Sequence, residues 1–94
     1  MRNKFDISQF VNVLTEQTVM DGVADRVKKR RKQLKISQQE LSKRSGVTYA
    51  SIRRFESTGE IAFSSLLKIA NALGYLSDFN LLFVKETITS LKEY

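Results

Sequence analysis

Residues 37–56 read SQQELSKRSGVTYASIRRFE, and this stretch decides the fold. Its apolar positions predict two short helices joined by a tight turn at Gly46, where a left-handed backbone conformation is favourable only for glycine. Ser37 and Glu40 are spaced as a capping box for the first helix, and Thr48 is placed to cap the second. Two helices joined in this way form a helix-turn-helix, whose second helix can lie in the major groove of DNA.

Positive charge is concentrated on and just before this stretch. Eleven of the sixteen Lys and Arg residues, but only one of the ten acids, lie between Arg26 and Arg54, within a chain of net charge +6. Clustered cations of this kind are typical of proteins that bind phosphates by releasing counterions. A solvated basic face would have a similar composition, but the overlap of the charge with the two helices favours DNA binding.

Length and composition exclude several classes of protein. The chain has 94 residues, enough for one domain with a modest core, and it contains no Cys and no His. We therefore expect no disulfide, no metal site, no cofactor and no enzymatic activity, because thiolate ligands and the usual neutral-pH general base are missing. No apolar run is long enough to span a bilayer, and the N-terminus lacks the features of a signal peptide. A cytoplasmic protein without membrane contact is predicted.

Apolar residues at helical spacing, with no Pro and only four Gly, favour an all-α fold. The basic helix before the central stretch is capped by either Thr18 or Asp21. Ser77 is placed to cap a short last helix that contains Leu82 and Phe83. The predicted segments are an opening amphipathic segment over 8–17, the basic helix to about 34, helices over 38–45, 49–57 and 63–73, and the short helix from 77.

This order of segments divides the chain into three parts. Residues 1–20 are predicted to form an N-terminal helical extension, 21–83 the helix-turn-helix domain and 84–94 a C-terminal tail. The tail could pair as an edge strand or add a helical turn. Its apolar residues favour a dimer seam over 83–91, and the alternative is a tail that folds back onto its own core.

From about Arg26 to Phe83 the chain resembles the phage repressor/Cro family of DNA-binding domains, often called Xre. The resemblance is carried by the basic first helix, SQQEL at the start of the second, Gly46 in the turn, TYASIRRFE as recognition helix and LLKIANALG as the fourth helix. It implies an all-α, five-helix repressor-like domain, here with an added N-terminal helix and a short C-terminal extension. It also implies double-stranded DNA as the partner.

The resemblance assigns base contacts to one side of the recognition helix. The positions that match base-facing ones are Tyr49, Ala50 and Arg54. The helical period places them opposite Ile52 and Phe55, which are expected in the core. Arg54 is the strongest candidate, because a guanidinium can bond to both O6 and N7 of guanine. Arg53 could serve a base or a phosphate. Tyr49 could contact a thymine methyl, reach a phosphate through its hydroxyl or cover the turn.

The same resemblance places Gln38 and Ser57 against the DNA backbone. Four further residues are expected to contact the backbone because their side chains can donate to phosphate: Ser37, Lys43, Thr48 and Ser51. Gln38 begins the second helix, and exposed N–H groups at a helix N-terminus suit a phosphate. The loop after the recognition helix lacks the Lys or Arg often found there and contains Glu60 instead. Phosphate binding is therefore expected to depend more on the first helix and on Lys43 or Arg44.

Two further expectations concern the scaffold. Arg31 and Glu56 match a family pair that forms a partly buried salt bridge between the first and third helices, so part of the KKRRK run would serve structure instead of DNA contact. Losing one partner of such a pair is costly, because the other charge is stranded. Ser42 and Ser45 stand where the family usually has small or apolar residues, so the second helix is expected to pack less tightly.

These features predict a sequence-specific transcriptional repressor that binds a palindromic operator as a homodimer and represses its own operon. A narrower prediction, resting on general similarity, is a HipB-type antitoxin of a toxin–antitoxin system with a toxin protein as partner. One alternative is a protein-interaction module that retains the fold without specific DNA binding, and Arg53 and Arg54 argue against it. Another is a non-specific, nucleoid-type binder, whose affinity would depend strongly on salt but not on sequence.

Overall fold

The computed structural model describes residues 13–86, which form five α-helices and no strand. The helices are α1 (Glu16–Gln33), α2 (Gln38–Ser45), α3 (Tyr49–Thr58), α4 (Phe63–Leu73) and α5 (Leu76–Phe79). The predicted all-α class is confirmed. The bounds of α2 and α4 agree with those expected, and α3 is one residue longer.

The first helix begins earlier than its sequence predicts. Thr15 is extended and caps it: the Thr15 hydroxyl accepts the N–H of Thr18 at 3.1 Å, and the Thr18 hydroxyl accepts the N–H of Thr15 at 2.9 Å. The predicted cap at Thr18 or Asp21 is therefore wrong, because Thr18 is the second partner of this box. Of the predicted opening segment, 8–12 lie outside the described residues and 13–15 are not helical.

The start of α2 uses half of the predicted capping box. The Ser37 hydroxyl accepts the N–H of Glu40 at 3.0 Å, as a cap should. The Glu40 carboxylate, expected to return to the backbone of Ser37, instead accepts from Nε of Arg44 at 2.9 Å. The reason is that Arg44 lies one turn further on, where an (i, i+4) pair meets on the helix surface.

The turn between α2 and α3 is fixed by two serine hydroxyls. Gly46 ends α2 in the left-handed conformation, at a φ of 79°. Ser42 Oγ then donates to the carbonyl oxygen of Val47 at 2.6 Å, while Ser45 Oγ accepts the N–H of Val47 at 3.1 Å. Leu41 of α2 is completely buried, whereas Ser42 and Ser45 are half-buried. These hydroxyls satisfy the backbone of the turn instead of filling the core.

The core lies where α3 packs against α1 and α2, and where α4 closes over α2. Its buried apolar residues are Ala24, Leu41, Val47, Ile52, Phe55, Ile69, Ala70 and Leu73. Burying each large side chain among them contributes about 1.5–3 kcal/mol. Ile52 and Phe55 are thus in the core as expected, and they hold the orientation of α3.

The last helix is shorter than predicted. After α4 ends at Gly74, the N–H of Tyr75 donates to the carbonyl oxygen of Ala70 at 2.8 Å, and the chain re-enters a helix at once. Ser77 consequently lies within α5 and does not cap it. Leu82 and Phe83 follow α5 as a turn. The predicted conformations of the tail concern residues that lie mostly outside the described part of the chain.

Candidate nucleic-acid interface

The outward face of α3 carries the predicted base-contact residues. Ile52 and Phe55 anchor the helix in the core, and Ala50, Arg53 and Arg54 are exposed on the other side. Thr48 caps α3 by accepting the N–H of Ser51 at 3.2 Å, so the first turn of α3 is held in place. A short helix anchored on one side presents two cations and a small residue to solvent.

Arg53 and Tyr49 form one unit on this face. The Arg53 guanidinium lies over the Tyr49 ring, 5.6 Å from its centroid, at cation–π distance. The sequence alone did not decide whether Arg53 contacts a base or a phosphate. In the structure its guanidinium lies against the ring of Tyr49, and both side chains remain exposed. The two side chains are therefore in contact with each other on the outward face of α3.

Arg54 is paired within the free protein. Its Nη2 donates to Oε1 of Glu60, the acidic residue in the loop after α3, and both side chains remain largely exposed. The sequence singled out each residue but not their contact, because a separation of six residues across a helix end is not a helical neighbour. The strongest candidate for base recognition thus has a carboxylate beside it.

Two predicted backbone contacts and one predicted base contact line a shallow cleft between α2 and the start of α3. The cleft measures about 390 Å³, and Ser37, Lys43 and Tyr49 line it. Residues predicted to contact phosphate and base are thereby brought together at one edge of the motif. The Thr48 hydroxyl, predicted to donate to phosphate, donates to Oγ of Ser51 at 2.8 Å.

Ser57 and Gln38 have other partners in the free protein. The Ser57 hydroxyl donates to the carbonyl oxygen of Arg54 at 3.1 Å, within its own helix. Nε2 of Gln38 donates to Oε1 of Glu56 at 2.9 Å. The Gln38 side chain therefore joins the scaffold, while the first N–H groups of α2 remain at the helix N-terminus, where an anion is favoured.

The ion pair between Arg31 and Glu56 ties α1 to α3. Nε and Nη2 of Arg31 donate to the two carboxylate oxygens of Glu56 at 2.8 and 3.0 Å, and Nη1 donates to the carbonyl oxygen of Ile36 at 2.8 Å. Burial opposes ionisation of Glu56, but the hydrogen bonds from Arg31 and Gln38 and the charges of Arg31 and Lys28 outweigh it. The pKa of Glu56 is therefore lowered.

The basic run of α1 serves more than one purpose. Arg31 is buried in the ion pair, and the Arg30 guanidinium lies 5.3 Å from the centroid of the Tyr75 ring, on the side of α4 and α5. Lys29 and Lys32 are exposed and free to contribute to the field around the motif. Part of the run is scaffold, and part remains available to phosphate.

The described part of the chain contains neither a cluster of metal ligands nor a membrane-spanning helix. Between residues 13 and 86 no group of three or more His, Cys, Asp or Glu side chains is placed to hold a metal ion. Within the same range no helix is both long and apolar enough to cross a bilayer.

Comparison with known proteins gives one match. A sequence model described as helix-turn-helix matches residues 27–79, from the middle of α1 to the end of α5. No curated protein and no solved structure matches the chain. The matched range covers more than half of the chain and contains the outward face of α3, the cleft and the two Arg–Glu pairs that involve α3.

Proposed function

The chain belongs to the Cro/C1-type helix-turn-helix family of DNA-binding transcription regulators, and we propose that it is a sequence-specific repressor that binds a palindromic operator as a homodimer. The observation that carries this proposal is the outward face of α3, where cations stand opposite a completely buried anchor. Such a helix can enter the major groove with its first turns against base edges.

The roles of the side chains on this face follow from their chemistry. Arg54 is proposed to read a guanine through two parallel hydrogen bonds, and the small Ala50 allows the helix to approach the bases closely. Tyr49 and Arg53, stacked on each other, are proposed to contact a neighbouring base or its phosphate as a unit. Sequence preference would then come mainly from Arg54, with adjustment by the stacked pair.

Phosphate contacts are proposed on either side of this face. Ser37, Thr48 and Ser51 lie at the N-termini of α2 and α3, where exposed donors and helix dipoles favour an anion, and Lys43 is exposed in the last turn of α2. Ser57 is proposed to contact the backbone beyond the other end of α3. These contacts fix the register of the protein on the duplex but carry no sequence information themselves.

Dimerisation is supported by the apolar surface after α5. Leu81, Leu82, Phe83 and Val84 are consecutive and exposed, and within residues 13–86 nothing shields Phe83 from water. Consecutive exposed apolar residues mark an interaction surface. A two-fold dimer would present two copies of α3 to half-sites about one DNA turn apart, which is the geometry of a palindromic operator.

Binding to the DNA upstream of the protein's own gene tests the function. Fluorescence anisotropy would compare that duplex with a scrambled duplex at two salt concentrations. A preference of about a thousandfold or more is expected for a specific regulator of its own operon. Equal, salt-sensitive binding to both would indicate a distant operator or a non-specific binder, and a selection from random duplexes separates the two. Absence of binding to any DNA would favour a protein-interaction module.

The dimer is tested separately by a charge in its proposed seam. Phe83→Asp should convert the dimer to monomer in sedimentation equilibrium, because a carboxylate would be buried without a partner. Leu14→Asp is the matched control, since Leu14 is also exposed but lies at the other end of the described residues. An unchanged mass for Phe83→Asp would place the seam elsewhere.

A role as a HipB-type antitoxin remains a narrower prediction. It is supported by the resemblance of the domain and by the exposed apolar surface after α5, which suits a protein partner as well as a second copy. Co-expression with the product of the adjacent gene tests it. A stable complex that represses better than the protein alone would support the prediction, and an inert neighbour would contradict it.

A further inference from the structure

The loop after α3 places a carboxylate beside the residue with the strongest claim to read a base. Glu60 repels phosphates, so it lowers affinity for every DNA sequence. Its ion pair with Arg54 adds little to folding, because both side chains are largely exposed to water. Neither general DNA affinity nor stability therefore accounts for an acid at this position. What remains is its effect on the guanidinium itself.

The backbone around Glu60 is held on both sides. The Thr58 hydroxyl donates to the carbonyl oxygen of Arg54 at 2.7 Å and accepts the N–H of Glu60 at 3.1 Å. Behind the loop, Nε2 of Gln17 donates to the carbonyl oxygen of Thr58 at 3.0 Å. The loop is thus tied both to the helix that carries Arg54 and to the start of α1.

Packing restricts the same loop. Gly59 is buried against Met20 with a φ of 82°, so close that an added Cβ would lie 3.0 Å from Cβ of Met20. Ile61, on the other side of Glu60, packs against the core. The Glu60 carboxylate consequently starts from a fixed backbone instead of a mobile one, and it can restrict the guanidinium that it holds.

A guanidinium has donors on more than one edge. The pair with Glu60 engages Nη2 of Arg54 and leaves other N–H groups free, so a carboxylate and a guanine can be bound at the same time. Fixing the side chain before binding removes part of the ordering cost and disfavours orientations that suit other bases. The arrangement favours one direction of approach to the groove.

We propose that Glu60 is a positioning residue that holds the Arg54 guanidinium and thereby sets the base preference at the operator position that Arg54 reads. The proposal rests on the proposed function, since it needs an operator. Glu60 then increases selectivity for one base pair and decreases affinity for DNA in general. Neutralising it should therefore strengthen binding to random DNA while weakening discrimination at one base pair in each half-site.

The test begins with an operator selected by the wild-type protein from a random duplex library. Arg54→Ala identifies the base pair whose preference is lost. Glu60→Gln is then measured by fluorescence anisotropy on the operator and on the three duplexes that carry the other base pairs at that position. Preference should fall about three- to tenfold there and remain unchanged elsewhere. In an Arg54→Lys background the same change should leave the preference unaltered.

Glu40→Gln is the matched control. It removes the same charge from another exposed ion pair, that with Arg44 on α2, without contact to Arg54. It should change affinity for all duplexes alike. If Glu60→Gln behaves in the same way, or sharpens the preference, the proposal is overturned. If the wild-type protein selects no sequence, both the proposed repressor function and this inference are refuted. If the wild-type protein selects an operator and Glu60→Gln has the same base preference as wild type, the inference alone is refuted.

Discussion

Two Arg–Glu pairs involve α3, and they differ mainly in their exposure to water. Glu56 of α3 pairs with Arg31, and the exposed fractions of the two side chains are 3% and 9%. Arg54 of α3 pairs with Glu60, and the corresponding fractions are 67% and 50%. The same two chemical groups therefore serve different purposes. The buried pair ties α3 to α1, while the exposed pair leaves its guanidinium within reach of a ligand.

The buried pair also has more hydrogen bonds. The Glu56 carboxylate accepts two hydrogen bonds from Arg31 and one from Gln38. Arg31 also donates a third hydrogen bond, from Nη1 to the carbonyl oxygen of Ile36. These bonds offset the cost of removing two charges from water, which only good geometry can do. The exposed pair has no such cost to offset. The comparison teaches that burial, more than charge, distinguishes the scaffold residue Arg31 from the proposed binding residue Arg54.

Removing the buried guanidinium should have the largest effect. Arg31→Met leaves the Glu56 carboxylate buried without its main partner, so the free energy of unfolding should fall by about 3–5 kcal/mol in urea denaturation. The double variant Arg31→Met with Glu56→Leu should recover most of this loss, because it strands no charge. A double variant as unstable as the single one would show that the pair is needed for packing and not for charge compensation.

Acid should weaken the buried pair of Arg31 and Glu56. The pKa of Glu56 is lowered in the folded protein, so the unfolded chain takes up this proton more readily. The stabilisation is complete above the ordinary value of 4.5 and is lost as the pH falls through the lower, folded-state pKa. The difference in unfolding free energy between wild type and the double variant should therefore shift against wild type in acid. A constant difference from neutral pH to acid would contradict the pKa shift.

Removing the exposed guanidinium should affect DNA binding but not folding. Arg54→Ala should cost about 1–3 kcal/mol in binding to the operator and relax preference at one base pair per half-site. Its unfolding transition in urea should stay close to that of wild type. Equal losses on the operator and on scrambled DNA would show that Arg54 contacts phosphate instead of a base.

The smallest change is expected when the exposed carboxylate is neutralised. Glu60→Gln should alter the free energy of unfolding by less than about 1 kcal/mol, because an ion pair in water contributes little. Urea denaturation beside Glu40→Gln measures this directly. A loss comparable to that of Arg31→Met would remove the distinction between the two pairs.

Much of the fold could be predicted because its signals are local. Ser37, Gly46 and Thr48 set the ends of α2 and α3 through bonds within three or four residues, and a short pattern contains all of that information. Thr15 was missed although its signal is local as well, because two threonines three residues apart replace the usual acidic partner. The end of α5 was missed because apolar residues suit a helix and an exposed interaction surface equally.

The site could be predicted in part. The spacing of α3 identifies its outward face, since Arg54 follows the buried Ile52 by two residues, which is about half a helical turn. The pairing of Arg54 with Glu60 depends on the path of the loop, and the bond from Gln38 to Glu56 joins residues eighteen positions apart. Neither contact follows a helical or strand period. Both required the tertiary structure.

The attachment of the loop behind α3 has a consequence for protein engineering. Gln17 and Met20, near the start of α1, hold the segment that carries Glu60, although neither belongs to the helix-turn-helix itself. Grafting α3 from this protein onto a related scaffold would transfer its outward side chains but not their support. A transplant that keeps its specificity would also need Gly59, Glu60 and the first turns of α1, so the recognition unit is larger than the recognition helix.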